Sequence, residues 1–384
     1  MSAPAWVVPL SDVEVDAAHV GAVVETLESG WWSMGPRVGE LEAVFGELCG
    51  TCHNLAVANG TAALHLALLA VGCGPGDEVV LPSLTFVAAA NVVVHTGATP
   101  VFCDIRGERD LNLDPDDLEA ALTERTRAVV TLDYGGFPCD ADAVRAATEP
   151  RGIAVVEDAA HAVGATLDGR PCGALGDIGC FSFFSNKNLP VGEGGMVVTG
   201  DDGLAERLRL LRSHGMTTLT WDRHRGHASG YDVVSPGFNY RLDELRAALA
   251  FVQLERLAER NDARRAHAAR YRAALDGVEG IVVPFDEGAE AAHHLAVVLL
   301  PDGVDRERVR AALAEDRIQT SVHYPPIHRF TAYAGQAGRA LPRTEAVAGR
   351  ILTLPLFPHL TEEQLDLVVE RLLRAVKDAP RIAD

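Results

Sequence analysis

The sequence predicts an α/β fold whose large sheet is mostly parallel. Between Leu55 and Thr199, short β-branched runs alternate with Ala- and Leu-rich helical stretches, a pattern typical of buried parallel strands covered by helices. A long helical stretch follows, from about Arg241 to Leu275, and after it come HHLAVVLL and further helical segments. The change of pattern predicts a large α/β domain at residues 1–255 and a smaller C-terminal α+β domain at residues 256–384.

The first elements are delimited by glycines and by capping residues. The helical segment GELEAVFGELC should end at Gly50, since glycine is the usual residue after a helix end. The strand NLAVA then leads through Asn59 into the helix TAALHLALLA. The glycines of VGCGPGDEVVLP follow a helix and precede a strand, the reverse of a dinucleotide-binding loop, so they predict a connecting turn.

The remaining elements follow in the same way. The runs EVVLP, PVFCDI, RAVVTLD and IAVVED read as buried strands. In the C-terminal part we expect a helix from about Asp305, a strand at IQTSVHY and an amphipathic helix from Thr361.

Composition narrows the class of protein. The 384 residues are 48% hydrophobic and 23% charged, with a net charge of −20, which argues against a nucleic-acid or anionic-membrane partner because both need a basic face. Apolar runs are too short to span a membrane, and the first apolar run has no basic segment before it. The seven cysteines are an odd number and scattered, so we expect a cytoplasmic protein without a disulfide framework.

One residue stands out by its type. The sequence contains 34 Lys and Arg residues, yet its only lysines are Lys187, in FSFFSNKNLPVGEGG, and Lys377, near the end of the last predicted helix. A primary amine can form a Schiff base with an aldehyde, which a guanidinium cannot do. A solvated surface lysine is the alternative that this segment alone leaves open.

A carboxylate and an anion site accompany the lysine. Asp158 ends the predicted strand GIAVVE, and ligands of open α/β sheets bind at such carboxyl ends. A lysine and a carboxylate are what pyridoxal phosphate requires, the first for its aldehyde and the second for its pyridine nitrogen. The segment Asn59 to Ala62 opens a helix and offers free N–H groups to a phosphate. A simple N-cap at Asp158 and a simple helix start at Asn59 are the alternatives.

Eight motifs together resemble a known family. They occur in order along the chain: NGTAALHLAL, PSLTFVAAANVVVHTGATPVFCDI, EDAAHAVGA, FSFFSNKNLPVGEGGMVVT, RSHGM, GFNYRLDELRAALAFVQLERL, SVHYPPIH and LTLPLFP. From about Gly30 to Leu372, the sequence is similar to the DegT/StrS-type sugar aminotransferases, which are fold-type I pyridoxal-phosphate enzymes related to aspartate aminotransferase. Relatives that act as dehydratases carry histidine in place of the lysine, so Lys187 favours transamination.

The resemblance implies roles for cofactor-binding residues. Lys187 would hold the cofactor as a Schiff base and, once released, move the proton, while Asp158 would pair with the pyridine nitrogen. His161 would contact the phenolic oxygen, and Phe86 would stack on the ring. The implied phosphate ligands are Gly60, Thr61, Ala62 and Ser182. No metal site is expected.

The resemblance also implies a dimer and a substrate pocket. Asn239 of GFNYR would reach the phosphate of the neighbouring subunit, so that a homodimer shares its active sites. The implied substrate contacts are Arg37, Arg223, Arg225, Arg241, Tyr324 and His328. Alternatively, the segment that contains Arg223 and Arg225 is a solvated loop.

These observations predict an enzyme that transfers an amino group, drawn from glutamate, to a keto group of a nucleotide-linked deoxysugar. Its partners would be small molecules, the keto substrate and the amino-acid donor. A keto-cyclitol or another free keto-sugar is the alternative substrate class. A non-catalytic sensor or scaffold with the same fold is the alternative from a different functional class, although such a protein would not need the lysine, the carboxylate and the phosphate site together.

Overall fold

The computed structural model of the protein describes residues 6–218, 221, 224–226, 229–285, 290–335 and 338–381. In the first part of the chain, the elements are α1 (Ala17–Glu28), α2 (Pro36–Cys49), β1 (His53–Val57), α3 (Gly60–Ala70), β2 (Glu78–Pro82), α4 (Ala88–Thr96), β3 (Thr99–Cys103), β4 (Ile105–Gly107), β5 (Asp110–Leu113), α5 (Pro115–Ala121), β6 (Thr126–Leu132), α6 (Ala141–Thr148) and β7 (Ala154–Asp158). They are followed by β8 (Thr166–Leu167), β9 (Arg170–Pro171), β10 (Ile178–Ser182), β11 (Gly195–Thr199), α7 (Asp202–Arg212), α8 (Glu244–Glu255), α9 (Leu257–Leu275), β12 (Ala296–Leu299), α10 (Arg306–Glu315), α11 (Pro342–Ala348), β13 (Ile351–Leu354) and α12 (Glu362–Asp378).

Seven of the described strands form one sheet in the order β1-β11-β10-β7-β6-β2-β3. Only β11 runs antiparallel to its neighbours, and the pairs from β10 to β3 are all parallel. The predicted α/β class with a mostly parallel sheet is therefore confirmed. Because parallel strands end at the same edge, the residues that follow β10, β7 and β6 converge there.

Helices cover both faces of this sheet. On one face, α3 and α4 bury Leu66 and Val93 against Val156 of the sheet. On the other face, α2 buries Phe45 against Phe181, and the two rings meet edge-on at 5.0 Å between centroids. Because helices shield both faces of the sheet from water, the strands can be apolar on both sides, as the continuous Val-rich runs of the sequence indicated.

A buried carboxylate ties the N-terminal region to α8. Glu244 is the first residue of α8, and its carboxylate accepts hydrogen bonds from the backbone N–H groups of Gly35, Arg37 and Val38 at 2.9–3.0 Å. These N–H groups belong to the start of α2, where they have no partner within the helix. The negative charge also lies at the favourable end of the α2 dipole.

The C-terminal part has its own core around the antiparallel pair β12 and β13. This core contains Tyr271 of α9, Val309 of α10 and Val368 of α12, and Val8 from the N-terminal arm also packs into it. The boundary between residues 255 and 256 stays a prediction. Across the described ranges, no helix is both long and apolar enough to cross a membrane.

Two predicted elements differ from the structure. The long helix expected from about Arg241 to Leu275 is two helices separated at Arg256, since α8 packs against α1 and α2 whereas α9 packs against α12. The strand expected at IQTSVHY is reduced to isolated bridges at Ile318 and Ser321. The prolines that follow at positions 325 and 326 cannot extend a ladder. By contrast, Gly50 ends α2 in the left-handed conformation, as predicted.

Candidate active site

A cavity of about 360 Å³ lies at the carboxyl edge of the sheet. Eight of the residues singled out from the sequence line it: Gly60, Thr61, Phe86, Asp158, His161, Ser182, Lys187 and Tyr324. A larger cavity of about 710 Å³ lies between Tyr134 and Arg272, and none of those eight lines it. The chemistry therefore converges on the smaller cavity.

The carboxyl group of Asp158 enters the cavity from the end of β7. The side chain is only 5% exposed, and Oδ1 accepts a hydrogen bond from the backbone N–H of Ala160 at 3.1 Å. Burial raises the pKa of Asp158 to about 6, although the positive charge of Lys187 acts in the opposite direction and lowers that pKa. The register pairs Asp158 with Leu132 of β6 and Cys180 of β10, so its position is fixed by the centre of the sheet.

The amine of Lys187 reaches the same cavity from a turn after β10. The backbone N–H of Lys187 donates to the carbonyl of Phe184 at 2.9 Å, which closes this turn. Burial lowers the pKa of Lys187 to about 8, although the charge of Asp158 raises it. The uncharged fraction of the amine near neutral pH is therefore larger than in a solvated lysine, and the uncharged form is the nucleophile toward an aldehyde.

His161 and Tyr324 form a hydrogen-bonded pair on the cavity wall. The backbone N–H of Gly135 donates to Nδ1 of His161 at 3.2 Å, so the proton of the neutral ring is on Nε2. That Nε2–H donates to the hydroxyl oxygen of Tyr324 at 2.8 Å. Burial and the charge of Lys187 hold the pKa of His161 well below its usual value. The hydroxyl hydrogen of Tyr324 remains available to an acceptor in the cavity.

The start of α3 forms an anion site beside Ser182. Asn59 caps the helix and accepts the N–H of Ala62 at 2.8 Å, which leaves the N–H groups of Gly60 and Thr61 without helical partners. A Cβ atom at Gly60 would lie 2.8 Å from Cβ of Ser182. Only glycine therefore lets the helix start and the end of β10 come close enough to share one anion.

Phe86 forms an aromatic wall. Its side chain is 54% exposed, and its ring lies 5.9 Å from the ring of Tyr324 between centroids, at a tilt of 49°. A core phenylalanine would be buried, so the exposure of Phe86 indicates a surface kept open for a planar ligand.

The other predicted residues lie elsewhere on the single chain. Arg37 pairs with Glu25 and Glu40 on the surface. His328 bonds to Ser83 at 2.7 Å and also to Glu345, away from the cavity lining. Arg225 places its guanidinium over the ring of Trp221 at 5.5 Å.

Two predicted residues, Asn239 and Arg241, lie in the GFNYR motif. Asn239 is exposed and Arg241 is half-buried, and neither lines the cavity of its own chain. The backbone of Arg241 bridges to Val57, just before the anion site. Arg223 lies outside the described residues.

The structure also reveals residues that the sequence reasoning missed. His294 lies with its Nε2 atom 3.5 Å from Nζ of Lys187, and Asn188 contacts the other nitrogen of the same ring at 3.1 Å. His323 and Glu193 line the cavity. The paired histidines of AAHHLAVV and the asparagines on both sides of Lys187 were the available signals.

These residues fit pyridoxal phosphate. Lys187 can hold its aldehyde, and the buried Asp158 can face its ring nitrogen. The contact with the phenolic oxygen was predicted for His161, but the Nε2–H of His161 donates to Tyr324, so the Tyr324 hydroxyl can make this contact in its place. The anion site of Gly60, Thr61 and Ser182 suits its phosphate. Gly60 is part of the fit, because any side chain there would close the anion site against Ser182.

Comparisons with known proteins also indicate a pyridoxal-phosphate-dependent aminotransferase. The model of the DegT/DnrJ/EryC1/StrS aminotransferase family matches residues 13–373. The chain is 43% identical over 381 residues to the spore coat polysaccharide biosynthesis protein SpsC of Bacillus subtilis (strain 168), and the match covers 97% of each chain.

Solved structures are similar over almost the whole chain. The aminotransferase TlmJ from Streptoalloteichus hindustanus has a TM-score of 0.89 and 36% identity, covering 96% of this chain and 99% of that chain. Spr1654 from Streptococcus pneumoniae, solved in its PMP form, has a TM-score of 0.90 and 30% identity, with the same coverage of 96% and 99%. PMP is the amino form of pyridoxal phosphate.

The opposed charges of Asp158 and Lys187 predict a measurable coupling. In the cofactor-free protein, Asp158→Asn should lower the pKa of Lys187 below its value of about 8, because the ammonium loses the carboxylate whose charge raises that pKa. Trace labelling with acetic anhydride at a series of pH values, followed by peptide mass spectrometry, reads the titration of Lys187 with Lys377 as the internal standard. Asp202→Asn, a change at an exposed carboxylate, is the matched control. An unchanged or raised pKa in Asp158→Asn would contradict the coupling.

Proposed function

The chain belongs to the DegT/DnrJ/EryC1/StrS aminotransferase family, and we propose that it transfers an amino group from glutamate to the keto group of a nucleotide-linked deoxysugar. It is a pyridoxal-phosphate-dependent transaminase. The observation that carries the proposal is the meeting of Lys187, Asp158 and the Gly60 anion site in one cavity. We further propose that the enzyme works in the cytoplasm.

Support for a sugar substrate comes first from the relatives. SpsC takes its name from polysaccharide biosynthesis. A second support is charge. Arg241 has no hydrogen bond or ion pair within the described residues, and burial lowers its pKa. The backbone of Arg241 bridges to Val57, shortly before the anion site, and a half-buried guanidinium with no partner among the described residues is suited to a phosphate group of a substrate.

The residues divide the chemistry among them. When bound, pyridoxal phosphate supplies an aldehyde that accepts an amino group and a ring that delocalises the electron pair released at the substrate carbon. In our proposal, Asp158 keeps the ring nitrogen protonated, and Tyr324 donates to the phenolic oxygen. Lys187 holds the aldehyde between turnovers and, when free, takes a proton from one carbon and returns it to another. Asp158 and His161 are buried, and their separation from bulk water strengthens their electrostatic interactions.

We propose that the active unit is a homodimer. Asn239 is exposed on the single chain and does not line that chain's own cavity. The helix α1 exposes Val20, Val24 and Leu27 on one face, an apolar stripe of the kind that protein interfaces bury. In the proposed dimer, Asn239 of each subunit completes the phosphate site of the other.

Trapping the cofactor tests the role of Lys187. Borohydride reduction of the holoenzyme should place one phosphopyridoxyl group on Lys187, because its amine has a lowered pKa and lines the cavity. Peptide mass spectrometry reads the site, and Lys377→Arg is the matched control that should load normally. Lys187→Arg should not be trapped, since a guanidinium does not form the bond. A label on Lys377 would refute the assignment.

Mixing two inactive variants tests the shared site. Lys187→Ala and Asn239→Ala should each lose most activity, and a mixture should regain up to about a quarter of the wild-type rate, since half of the dimers are mixed and each mixed dimer has one intact site. Subunit exchange is verified by native mass spectrometry with one variant isotopically labelled. A monomer with full activity would overturn the proposal, and so would proven exchange without recovery.

The substrate class is tested by running the second half-reaction. The enzyme is converted to its amino form with glutamate, freed from glutamate and mixed with candidate ketones while the cofactor absorbance is followed. A nucleotide-linked 4-keto-6-deoxyhexose should restore the original spectrum at micromolar to low millimolar concentrations, and added salt should weaken the response. If glutamate does not convert the enzyme to its amino form, the proposal that glutamate is the amino donor is refuted. If scyllo-inosose restores the spectrum efficiently and nucleotide sugars do not, the cyclitol alternative replaces the sugar assignment.

A charge variant sharpens this experiment. Arg241→Gln should raise the KM for the nucleotide sugar about tenfold while kcat changes little, as expected when a ground-state phosphate contact is lost. Arg170→Gln, which removes an exposed arginine paired with Asp142, is the matched control.

A further inference from the structure

A line of buried polar side chains leads to Lys187 from behind the cavity. It runs from Asn261 through Asn188 and His294, which are 5%, 5% and 4% exposed. Nδ2 of Asn188 donates to Oδ1 of Asn261 at 2.8 Å, Oδ1 of Asn188 lies 3.1 Å from Nδ1 of His294, and Nε2 of His294 lies 3.5 Å from Nζ of Lys187. Buried polar groups of this kind are costly unless each has a partner.

Backbone carbonyls fix the direction of every bond in this line. Nδ2 of Asn188 lies 2.7 Å from the carbonyl oxygen of Ala292, which can only accept. The amide is therefore oriented with Oδ1 toward His294. Nδ2 of Asn261 is fixed in the same way by the carbonyl of Val163 at 2.9 Å. Because Oδ1 of Asn188 accepts, Nδ1 of His294 carries the proton, and Nε2 presents a lone pair to Lys187.

The surroundings keep His294 neutral. Burial, the charge of Lys187 and the nearby His161 hold its pKa well below the usual value, and Arg264 and His323 act in the same direction. The ring of His161 lies 4.6 Å from the ring of His294 between centroids. The carboxylate of Asp158 raises the pKa of Lys187, whereas the groups that act on His294 all lower its pKa. An imidazolium at His294 would meet cations and neutral rings, so the ring stays an acceptor.

We propose that His294, held in one tautomer by Asn188, is a positioning residue that accepts a hydrogen bond from the Lys187 amine whenever that amine is free of the cofactor. The inference rests on the proposed role of Lys187. No proton passes to His294. The separation of 3.5 Å is at the outer limit of a hydrogen bond, and such contacts tighten when a site is loaded.

The contact with His294 would orient the side chain of Lys187 after it is released from the cofactor. A lysine side chain freed from its cofactor regains several rotamers, and ordering them again has an entropic cost. With one N–H directed to His294, the amine stays at the cavity, and its remaining positions face the reacting carbons. The contact also favours the ammonium over the amine, since a hydrogen bond to a charged donor is the stronger one.

The test uses the amino form of the holoenzyme, in which Lys187 is free. Trace acetic anhydride labelling across pH, with Lys377 as the internal standard, should show that His294→Leu lowers the titration midpoint of Lys187 by about one pH unit, because the ammonium loses its acceptor. His294→Gln, which can present a carbonyl oxygen at a similar position, should keep the midpoint near the wild-type value. Asn188→Ala should also lower the titration midpoint of Lys187, because the His294 ring is then free to carry its proton on Nε2 and no longer presents a lone pair to the amine.

Controls separate positioning from simple loss of structure. His19→Leu removes a histidine that is equally buried in α1 and should leave the midpoint of Lys187 unchanged, and thermal unfolding of each variant verifies folding. An unchanged midpoint in both His294→Leu and Asn188→Ala would overturn the inference. A fall in His294→Gln equal to that in His294→Leu would also overturn it, since packing rather than the acceptor would then be responsible. Borohydride trapping on the wild type decides the role of Lys187 separately, because it does not depend on His294.

Discussion

The structure depends on burying an amine and a carboxyl group in one cavity without neutralising either completely. Burial pushes Lys187 and Asp158 toward their uncharged forms, while each supports the charge of the other. Both pKa values therefore move toward neutrality from opposite sides, so that each group can change its protonation state near neutral pH. A solvated pair would titrate far from neutral pH, and a pair in direct contact would be locked as a salt bridge.

The sheet and the residues behind it maintain this balance. Asp158 sits at the centre of seven strands, where the register pairs it with a strand on each side. Lys187 sits on a turn, and in the proposed arrangement His294 positions it. One group is fixed by the backbone and the other by a line of side chains anchored on carbonyls. This difference suits the roles proposed for the two groups, because a carboxylate that pairs with a ring nitrogen would stay in place while the lysine would bind, leave and return.

The sequence predicted those parts of the site that are encoded locally. Asp158 is the last residue of β7, and the Asn59–Ala62 segment and Lys187 lie shortly after the ends of β1 and β10. Each therefore stands near a strand end, and strand ends are recognisable from alternation and composition. His294 was missed because it lies 107 residues from Lys187, and only the packing of the C-terminal part brings it there. Arg37 was predicted near the substrate, yet on the single chain it pairs with Glu25 and Glu40. Side chains of surface arginines are long enough to reach several partners, so sequence position alone does not determine which one they choose.

The scarcity of lysine has a further consequence for an enzyme that handles a reactive aldehyde. A free aldehyde can form an unproductive Schiff base with any exposed primary amine. It does not form one with a guanidinium. Apart from the amino terminus, the chain offers such molecules one alternative amine, Lys377 in the last turn of α12. A surface whose cations are almost all arginine keeps its positive charges but offers almost no primary amine with which a simple aldehyde could form a Schiff base. The chain thus offers its own cofactor and reducing sugars few amines outside the cavity, and its capacity to form Schiff bases is concentrated at one position.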